Sequence, residues 1–209
     1  STTYYYRSYL YHKASEKYYL GDISSFTTKN ADDYAVDLGL SVMWASCDLG
    51  TDDPFEDGIP FAWGSVVPNK QGTLDAYEHY VNGEYVDLGT NISGTEYDAA
   101  REYWGGKWRM PTREEVEEFY NHCTYEEKYI ESEDLAYFIW NSPSKKTITI
   151  KSFVPYKCDE TYSSRNAIPE RWTATLTDDA VYAYATYFFK SVKKSKRKRE
   201  LCIRPVCDY

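Results

Sequence analysis

The chain of 209 residues lacks most of the patterns on which metal sites and enzyme active sites depend. Its 3 histidines are isolated, so none has the H-x-x-x-H or H-x-H spacing of a metal site. There is no C-x-x-C motif, no nucleotide-binding glycine loop and no G-x-S-x-G turn. No stretch approaches the roughly 20 apolar residues of a membrane span. We therefore expect no metal ion, no cofactor, no catalytic residue and no transmembrane segment.

Cysteine is present in an odd number. The 5 cysteines are Cys47, Cys123, Cys158, Cys202 and Cys207, so at least one remains a thiol or bonds to another molecule. Without a C-x-x-C motif, a zinc ribbon or a thioredoxin-type site is not expected. Cys123 falls on the apolar face of a predicted helix, which indicates a position in the core.

Aromatic residues take the place of the sparse Leu, Ile and Val. They make up 18% of the chain, and 23 residues are Tyr, so ring side chains must supply much of the core. A buried Tyr hydroxyl needs a hydrogen-bond partner, which favours partial exposure of many of these rings. The length and composition fit either one large domain or one domain with a small appendage.

Charge is unevenly distributed along the chain. The net charge is −9, which disfavours nucleic acid and anionic membranes as partners of the whole chain, yet residues 190–199 carry seven positive charges and no negative one. Three interpretations stay open for this basic run: a solvated hairpin tip, a binding face for an anionic partner, or a nucleic-acid or nuclear-localisation segment. The third has no supporting nucleic-acid motif.

The first 33 residues differ from the rest and form a separate region. Tyr-rich alternation around Tyr4–Tyr11 predicts an aromatic strand, and the polar stretch Ser24–Asp33 predicts a connection. Residues 1–33 are interpreted as an N-terminal extension packed on the domain or as the end of an upstream module. The domain itself is expected to span residues 34–209.

Two helices are predicted in the middle of the chain. The first spans Thr95–Trp104 and ends at Gly105. The second opens at Thr112, which caps the helix while Glu115 reaches back to it. Its acidic first turns, including Glu114 and Glu117, favour the positive end of the helix dipole and indicate a solvated surface, not a catalytic carboxylate pair.

Short strands are predicted on both sides of these helices, so the fold class is α+β. The chain between Asp48 and Gly58 is expected to be an acidic, turn-rich segment. Tyr182–Phe189 and Leu201–Val206 are expected to form the last hairpin, joined through the basic run. The other predicted strands are Val36–Trp44, Leu135–Trp140, Thr147–Val154 and Arg171–Leu176.

Three segments occur in a fixed order: DLGLSVMWASCDLG at residues 37–50, WGGKWRMPTREEVEEF at residues 104–119 and CIRPV at residues 202–206. Together they resemble the bacterial major paralogous domain family. The resemblance implies a C-type lectin fold, with two helices packed on short antiparallel sheets and with paired terminal strands. It also implies a non-enzymatic ligand-binding or adhesion domain. Such a domain is displayed on a bacterial surface or secreted, and a lipid anchor in the full-length protein stays an open alternative.

The resemblance also suggests a binding site. In lectin-fold proteins varied by a diversity-generating retroelement, the ligand-binding residues lie on and between the last strands. From Val181 to Phe189, one strand face holds small residues and the other holds aromatic ones; the second face is either displayed or buried as well. The expected partner is a protein or a glycan, with acidic groups if the lysines take part. The candidate ligand-binding residues are Arg171, Trp172, Thr173, Tyr182, Tyr184, Thr186, Lys190, Lys193, Lys194 and Lys196, of which Trp172 is also a candidate core anchor.

Calcium is not expected at this site. Calcium-dependent sugar-binding lectins carry Glu-Pro-Asn or Gln-Pro-Asp followed by Trp-Asn-Asp, and this sequence has none of these. The acidic pairs Asp52–Asp53 and Asp178–Asp179 are interpreted as solvated turns, since adjacent side chains seldom point to one ion.

Two alternatives from other classes stay open. Formylglycine-generating enzymes share the C-type lectin fold and use two C-terminal cysteines with copper, at the spacing of Cys202 and Cys207. Such chemistry needs both thiols to be accessible and to have a lowered pKa. An odd separation would turn the two side chains to opposite faces of a regular strand, which disfavours a shared site. The other alternative is a purely structural module of a surface assembly.

Overall fold

The computed structural model describes residues 3–27, 30–68, 77–130, 135–152, 170–187 and 190–209. The chain divides into two compact units, Ser1–Tyr34 and Ala35–Tyr209, one residue from the boundary expected above. Predicted features that fall on Cys158, on Val154 or on Phe188 and Phe189 lie outside the described residues.

The N-terminal unit is a two-stranded ribbon followed by a short 3-10 helix at Ala31–Tyr34. The second and third strands of this unit form a hairpin, in which Tyr11 lies opposite Tyr18. The first and fourth strands pair with each other, and Tyr4 lies opposite Phe26. The predicted connection at Ser24 is therefore partly wrong, because this segment is a strand that pairs with the beginning of the chain. The four strands are β1 (Thr3–Tyr6), β2 (Tyr9–His12), β3 (Lys17–Leu20) and β4 (Ser24–Thr27).

The larger unit is α+β and consists mostly of short antiparallel sheets with two helices. Its strands before the helices are β5 (Ala35–Val36), β6 (Met43–Ala45), β7 (Tyr80–Val81) and β8 (Glu84–Tyr85). The middle of the unit holds α1 (Ala99–Trp104), β9 (Trp108–Arg109) and α2 (Arg113–His122). The strands after the helices are β10 (Thr124–Ile130), β11 (Leu135–Asn141), β12 (Thr147–Ser152), β13 (Trp172–Leu176), β14 (Tyr182–Tyr187), β15 (Ser191–Lys196) and β16 (Val206–Cys207).

The opening and closing segments of this unit meet in a four-stranded sheet with the order β5-β6-β16-β9. Val206 lies between Trp44 and Arg109, its partners in β6 and β9. The prediction of one strand over Val36–Trp44 is wrong in its middle. Gly39 has a φ of +71°, so the chain leaves the extended conformation there. The apolar residues that alternate along this segment are nevertheless buried: Leu38, Leu40 and Val42 are all in the core.

Both helices begin at a capping side chain. In α1, the Asp98 carboxylate accepts the backbone N–H groups of Ala100 and Arg101, so the helix starts later than predicted. In α2, Thr112 and Glu115 form the predicted capping box. The predicted apolar stripe of α2 is also confirmed, since Val116, Phe119 and Cys123 are buried and Tyr120 is half-buried.

The last hairpin differs from the predicted one. β14 pairs with β15, so part of the basic run is itself a strand and not a hairpin tip. Alternation explains this, because Ser195 and Arg197 are buried while Lys194 and Lys196 face solvent. The segment beginning at Leu201 instead makes isolated bridges, Phe61 to Leu201 and Arg171 to Cys202, before it reaches β16.

The core consists of two clusters on either side of the β13-β14-β15 sheet. The small residues of β14, Ala183 and Ala185, pack into the cluster that contains Trp63 and Trp172. The second cluster contains Trp44, α2 and the β10-β11-β12 sheet, and Val192 of β15 packs against it. The face of the last hairpin that carries Thr186 is therefore turned toward α2, since Thr186 lies opposite Val192.

Candidate functional site

The aromatic face predicted on β14 is half-buried. Tyr182, Tyr184 and Thr186 are each partly exposed, while Lys194 and Lys196 lie directly opposite Tyr184 and Tyr182 on the neighbouring strand and are exposed. Residues that pair across two strands share one face of the sheet. This face thus presents tyrosine rings with lysine side chains beside them.

Helix α2 covers part of this face. The guanidinium of Arg113 lies 4.4 Å from the centre of the Tyr184 ring, a cation–π distance. The hydroxyl of Thr186 accepts the backbone N–H of Arg171 at 2.8 Å. Burial raises the pKa of Tyr120, about two turns further along α2 than Arg113, to about 12, so its phenol stays protonated at neutral pH. The face is accordingly a partly covered surface and not a free aromatic display.

Three of the predicted binding residues are core residues, so the assignment of Arg171 and Thr173 to an exposed surface is wrong, whereas the prediction of Trp172 as a core anchor is confirmed. Arg171, Trp172 and Thr173 are all buried. The Trp172 indole donates to the Phe61 carbonyl at 2.8 Å, and the Thr173 hydroxyl donates to the Tyr184 carbonyl at 2.9 Å. These bonds hold β13 in place, which explains why the side chains point inward.

The predicted lysines have different environments. Lys193 pairs at 2.9 Å with the buried carboxylate of Glu170, which Arg199 also contacts at 2.7 Å. Lys190 is exposed, and its ammonium donates to the Cys123 carbonyl at 2.5 Å. Lys194 and Lys196 therefore remain the two most openly placed cations among the predicted site residues.

A buried charge cluster, which sequence reasoning missed, lies beside the last hairpin. Arg171 Nε donates to Asp48 Oδ1 at 2.8 Å, and its Nη2 lies 2.8 Å from Oδ2. Arg204 Nε donates to Asp48 Oδ1 at 2.7 Å. Burial alone would raise the pKa of the Asp48 carboxyl, but the two neighbouring guanidiniums have the larger effect. The pKa of Asp48 therefore lies below its usual value. Burial lowers the pKa of Arg204, and repulsion from the Arg171 guanidinium lowers it further, although Asp48 acts in the opposite direction.

An aromatic cavity of about 60 Å³ adjoins this cluster. It lies between α2, the β10-β11-β12 sheet and the last hairpin. Tyr125 and Lys190, both exposed at the protein surface, belong to its lining, so the cavity reaches solvent. Four of the predicted site residues line it as well, namely Arg171, Trp172, Thr186 and Lys190. The rest of the lining comprises Trp44, Pro111, Val116, Phe119, Tyr120, Tyr125, Phe138, Trp140, Ile150 and Arg204.

The walls of the aromatic cavity are rings in mutual contact. Phe119 lies between Trp44 and Trp140, with ring centres 4.8 Å from each. Tyr125 is 5.0 Å from Trp140 and 5.1 Å from Phe138. Such tilted and edge-on pairs are favourable packings, so the walls are formed without a ligand.

The C-terminal thiols do not have the properties that thiolate chemistry needs. Burial raises the pKa of Cys202 to about 12, so its thiol is protonated at neutral pH. Cys207 is fully buried in β16, between Met43 and Trp108. Among the described residues, Cys47, Cys123, Cys202 and Cys207 form no disulfide, and no group of three or more His, Cys, Asp or Glu could hold a metal ion.

The residues that sequence reasoning missed carry one detectable signal. Asp48 and Arg204 are each a single charged residue inside an otherwise apolar or small-residue segment, which suggests a buried partner. The aromatic residues that line the cavity carry no such signal, because each of them is equally typical of a residue in the hydrophobic core.

Comparisons with protein-family models, with curated proteins and with solved structures found no match. No helix in the described ranges is both long enough and apolar enough to cross a membrane.

Proposed function

We propose that this chain is a non-enzymatic ligand-binding domain, and that it takes its ligand at the aromatic cavity. The observation that carries the proposal is a preformed, ring-lined cavity that reaches the surface beside cationic side chains. Apolar concave sites with a few polar groups are the usual form of small-ligand sites. The buried, protonated thiol of Cys202 supports binding over the copper-oxidase alternative.

The proposal includes a C-type lectin fold, displayed on a bacterial surface or secreted. The pairing of β6 with β16 and the two capped helices support this fold, since they match the features that the sequence resemblance implies. A larger partner, a protein or a glycan with acidic groups, would contact the exposed Lys194 and Lys196 on the last hairpin.

A fragment screen with a cavity-filling variant tests the site. Small apolar and aromatic fragments are screened by ligand-observed NMR, and hits are titrated by tryptophan fluorescence. Ile150→Phe extends a lining side chain into the cavity and should abolish binding of the hits. Ile139→Phe is the matched control, because Ile139 pairs with Thr149 on the opposite face of the same sheet.

Two outcomes would contradict the proposed site: no fragment binds the unmodified protein, or Ile150→Phe and Ile139→Phe bind the hits equally well. Circular dichroism of both variants controls for folding. For a macromolecular partner, Lys194→Gln with Lys196→Gln should weaken binding and flatten its dependence on salt, because these charges steer an anionic partner. Lys107→Gln, which changes an exposed lysine outside this face, is the control.

A further inference from the structure

The unpaired polar groups around the aromatic cavity are all hydrogen-bond donors. Within the described part of the chain, Trp44 Nε1, Trp140 Nε1 and Arg204 Nη2 are buried and have no acceptor. Trp44 is 4%, Trp140 6% and Arg204 2% exposed, and all three residues line the cavity. Indole and guanidinium groups donate and cannot accept, and leaving a buried donor unpaired is costly. The lining therefore calls for a ligand that supplies acceptor oxygens.

The charge of the lining points in the same direction. Asp48 is shared between Arg171 and Arg204, so this buried cluster holds two cations and one anion. Asp57 also acts on Arg171, but it is paired with Lys151 at 2.9 Å. None of the described residues that line the cavity is acidic. Nη2 of Arg204 is the buried guanidinium nitrogen without an acceptor among the described residues, and a charged acceptor binds such a donor more strongly than a neutral one, so an anionic ligand would be stabilised here.

Lys190 adds a further cation at the surface end of the cavity. Its ammonium lies 5.9 Å from the centre of the Trp140 ring. One of its three N–H donors is used by the Cys123 carbonyl, which leaves donors for a ligand.

Building on the function proposed above, we propose that the ligand of the aromatic cavity is a small carboxylate with a short apolar body. A carboxylate supplies a charged acceptor oxygen for Nη2 of Arg204, whose Nε and Nη1 already donate to Asp48 and to the Ala45 carbonyl. The cavity of about 60 Å³ has room for roughly four to six waters, enough for a carboxylate and a few carbons. Phosphate fits less well, because most of the lining consists of apolar ring surface, which does not compensate the loss of hydration of its additional oxygens and charge.

Matched pairs of probes test the charge requirement. We choose 3-methylbutanoate and its amide, 3-methylbutanamide, which share one shape and differ in the charge of one group. Calorimetric titration at neutral pH should give the acid a dissociation constant at least roughly tenfold lower than that of the amide, as hydrogen bonds to a charged group are stronger than neutral ones. Only the acid should raise the thermal unfolding midpoint clearly at equal concentration.

Variants identify the residues involved. Lys190→Gln should weaken the acid roughly fivefold and leave the amide unchanged, because only the charged probe is attracted by the ammonium. Lys107→Gln, outside the cavity, should change neither affinity. Arg204→Gln should remove the preference for the acid; if this variant does not fold, the probe pair and Lys190→Gln decide.

Each outcome bears on one of the two proposals. Equal affinity for acid and amide would overturn the carboxylate assignment and leave the binding function standing. The same conclusion follows if only neutral fragments bind, or if inorganic phosphate displaces the acid at lower concentration. If neither probe nor any library fragment binds, the binding function falls together with the carboxylate.

Discussion

Replacing Asp48 by asparagine should destabilise the larger unit strongly. The carboxylate is fully buried, and it accepts hydrogen bonds from Arg171 and Arg204 at 2.7 to 3.0 Å. Asparagine keeps the shape but removes the charge, and it turns one acceptor into a donor that faces guanidinium N–H groups. Two buried cations are then left without their counter-ion.

The expected loss follows from that geometry. Removing one partner of a buried, hydrogen-bonded ion pair costs about 3–5 kcal/mol of the free energy of unfolding. A domain of this size has a total of about 5–15 kcal/mol, so Asp48→Asn leaves a marginally stable protein. Arg204→Met in the same chain should recover part of the loss, because it removes one of the two buried cations that Asp48 neutralises.

The substitution should also change how stability depends on pH. The pKa of Asp48 lies below its unfolded value, because the guanidiniums overcome the effect of burial. Its stabilising contribution is therefore complete above the ordinary Asp pKa of about 3.9 and is lost as the pH falls through the lower folded value. Asp48→Asn should reduce the fall in stability over this acidic range.

Urea unfolding followed by tryptophan fluorescence measures the effect, with far-UV circular dichroism as a second probe. Asp178→Asn is the control, since Asp178 is exposed and should change the unfolding free energy by less than about 0.5 kcal/mol. A loss below about 1 kcal/mol for Asp48→Asn, relative to this control, would refute the reasoning, because it lies outside the range for a buried pair. An unchanged acid profile would refute the pKa argument.

Three further predictions concern other parts of the larger unit. Thr112→Ala removes one half of the capping box and should cost about 1 kcal/mol, measured by thermal unfolding. Cys202 should stay unlabelled by a thiol reagent at pH 8 in the folded protein, as judged by mass spectrometry, because its pKa is about 12; complete labelling would contradict this. Arg197→Lys should cost about 2 kcal/mol in urea, since it loses hydrogen bonds to Tyr77 and to the Val86 carbonyl. The more exposed Arg199→Lys should cost much less, and equal losses would contradict the assigned role of burial.

Local chemistry made the helices predictable. Thr112 and Glu115 act on each other within one turn, so the start of α2 can be inferred from a few adjacent residues. Gly105 likewise ends α1 where the sequence predicts. Alternation also predicted which side chains of β14 would be buried, because Ala183 and Ala185 pack into the core.

Pairing between distant segments was not predictable from local patterns. A solvated hairpin tip was one of three interpretations of the lysines in β15, yet their alternation with Ser195 and Arg197 makes the segment a strand. The alternation along β14 predicted which of its faces is buried and which carries the aromatic residues. It could not show that helix α2 packs over Tyr184 through Arg113. The aromatic cavity draws its lining from six strands and one helix, so it exists only once the tertiary structure has formed.

The contact between Asp48 and Arg204 joins residues that are 156 positions apart in the chain. Translation at roughly 5–20 residues per second places about 8–30 s between the synthesis of these two residues. During that interval the nascent chain holds the Asp48 carboxylate without Arg204 and a β6 edge without β16. The larger unit accordingly completes its four-stranded sheet only after Cys207 has left the ribosome, because β16 lies between β6 and β9.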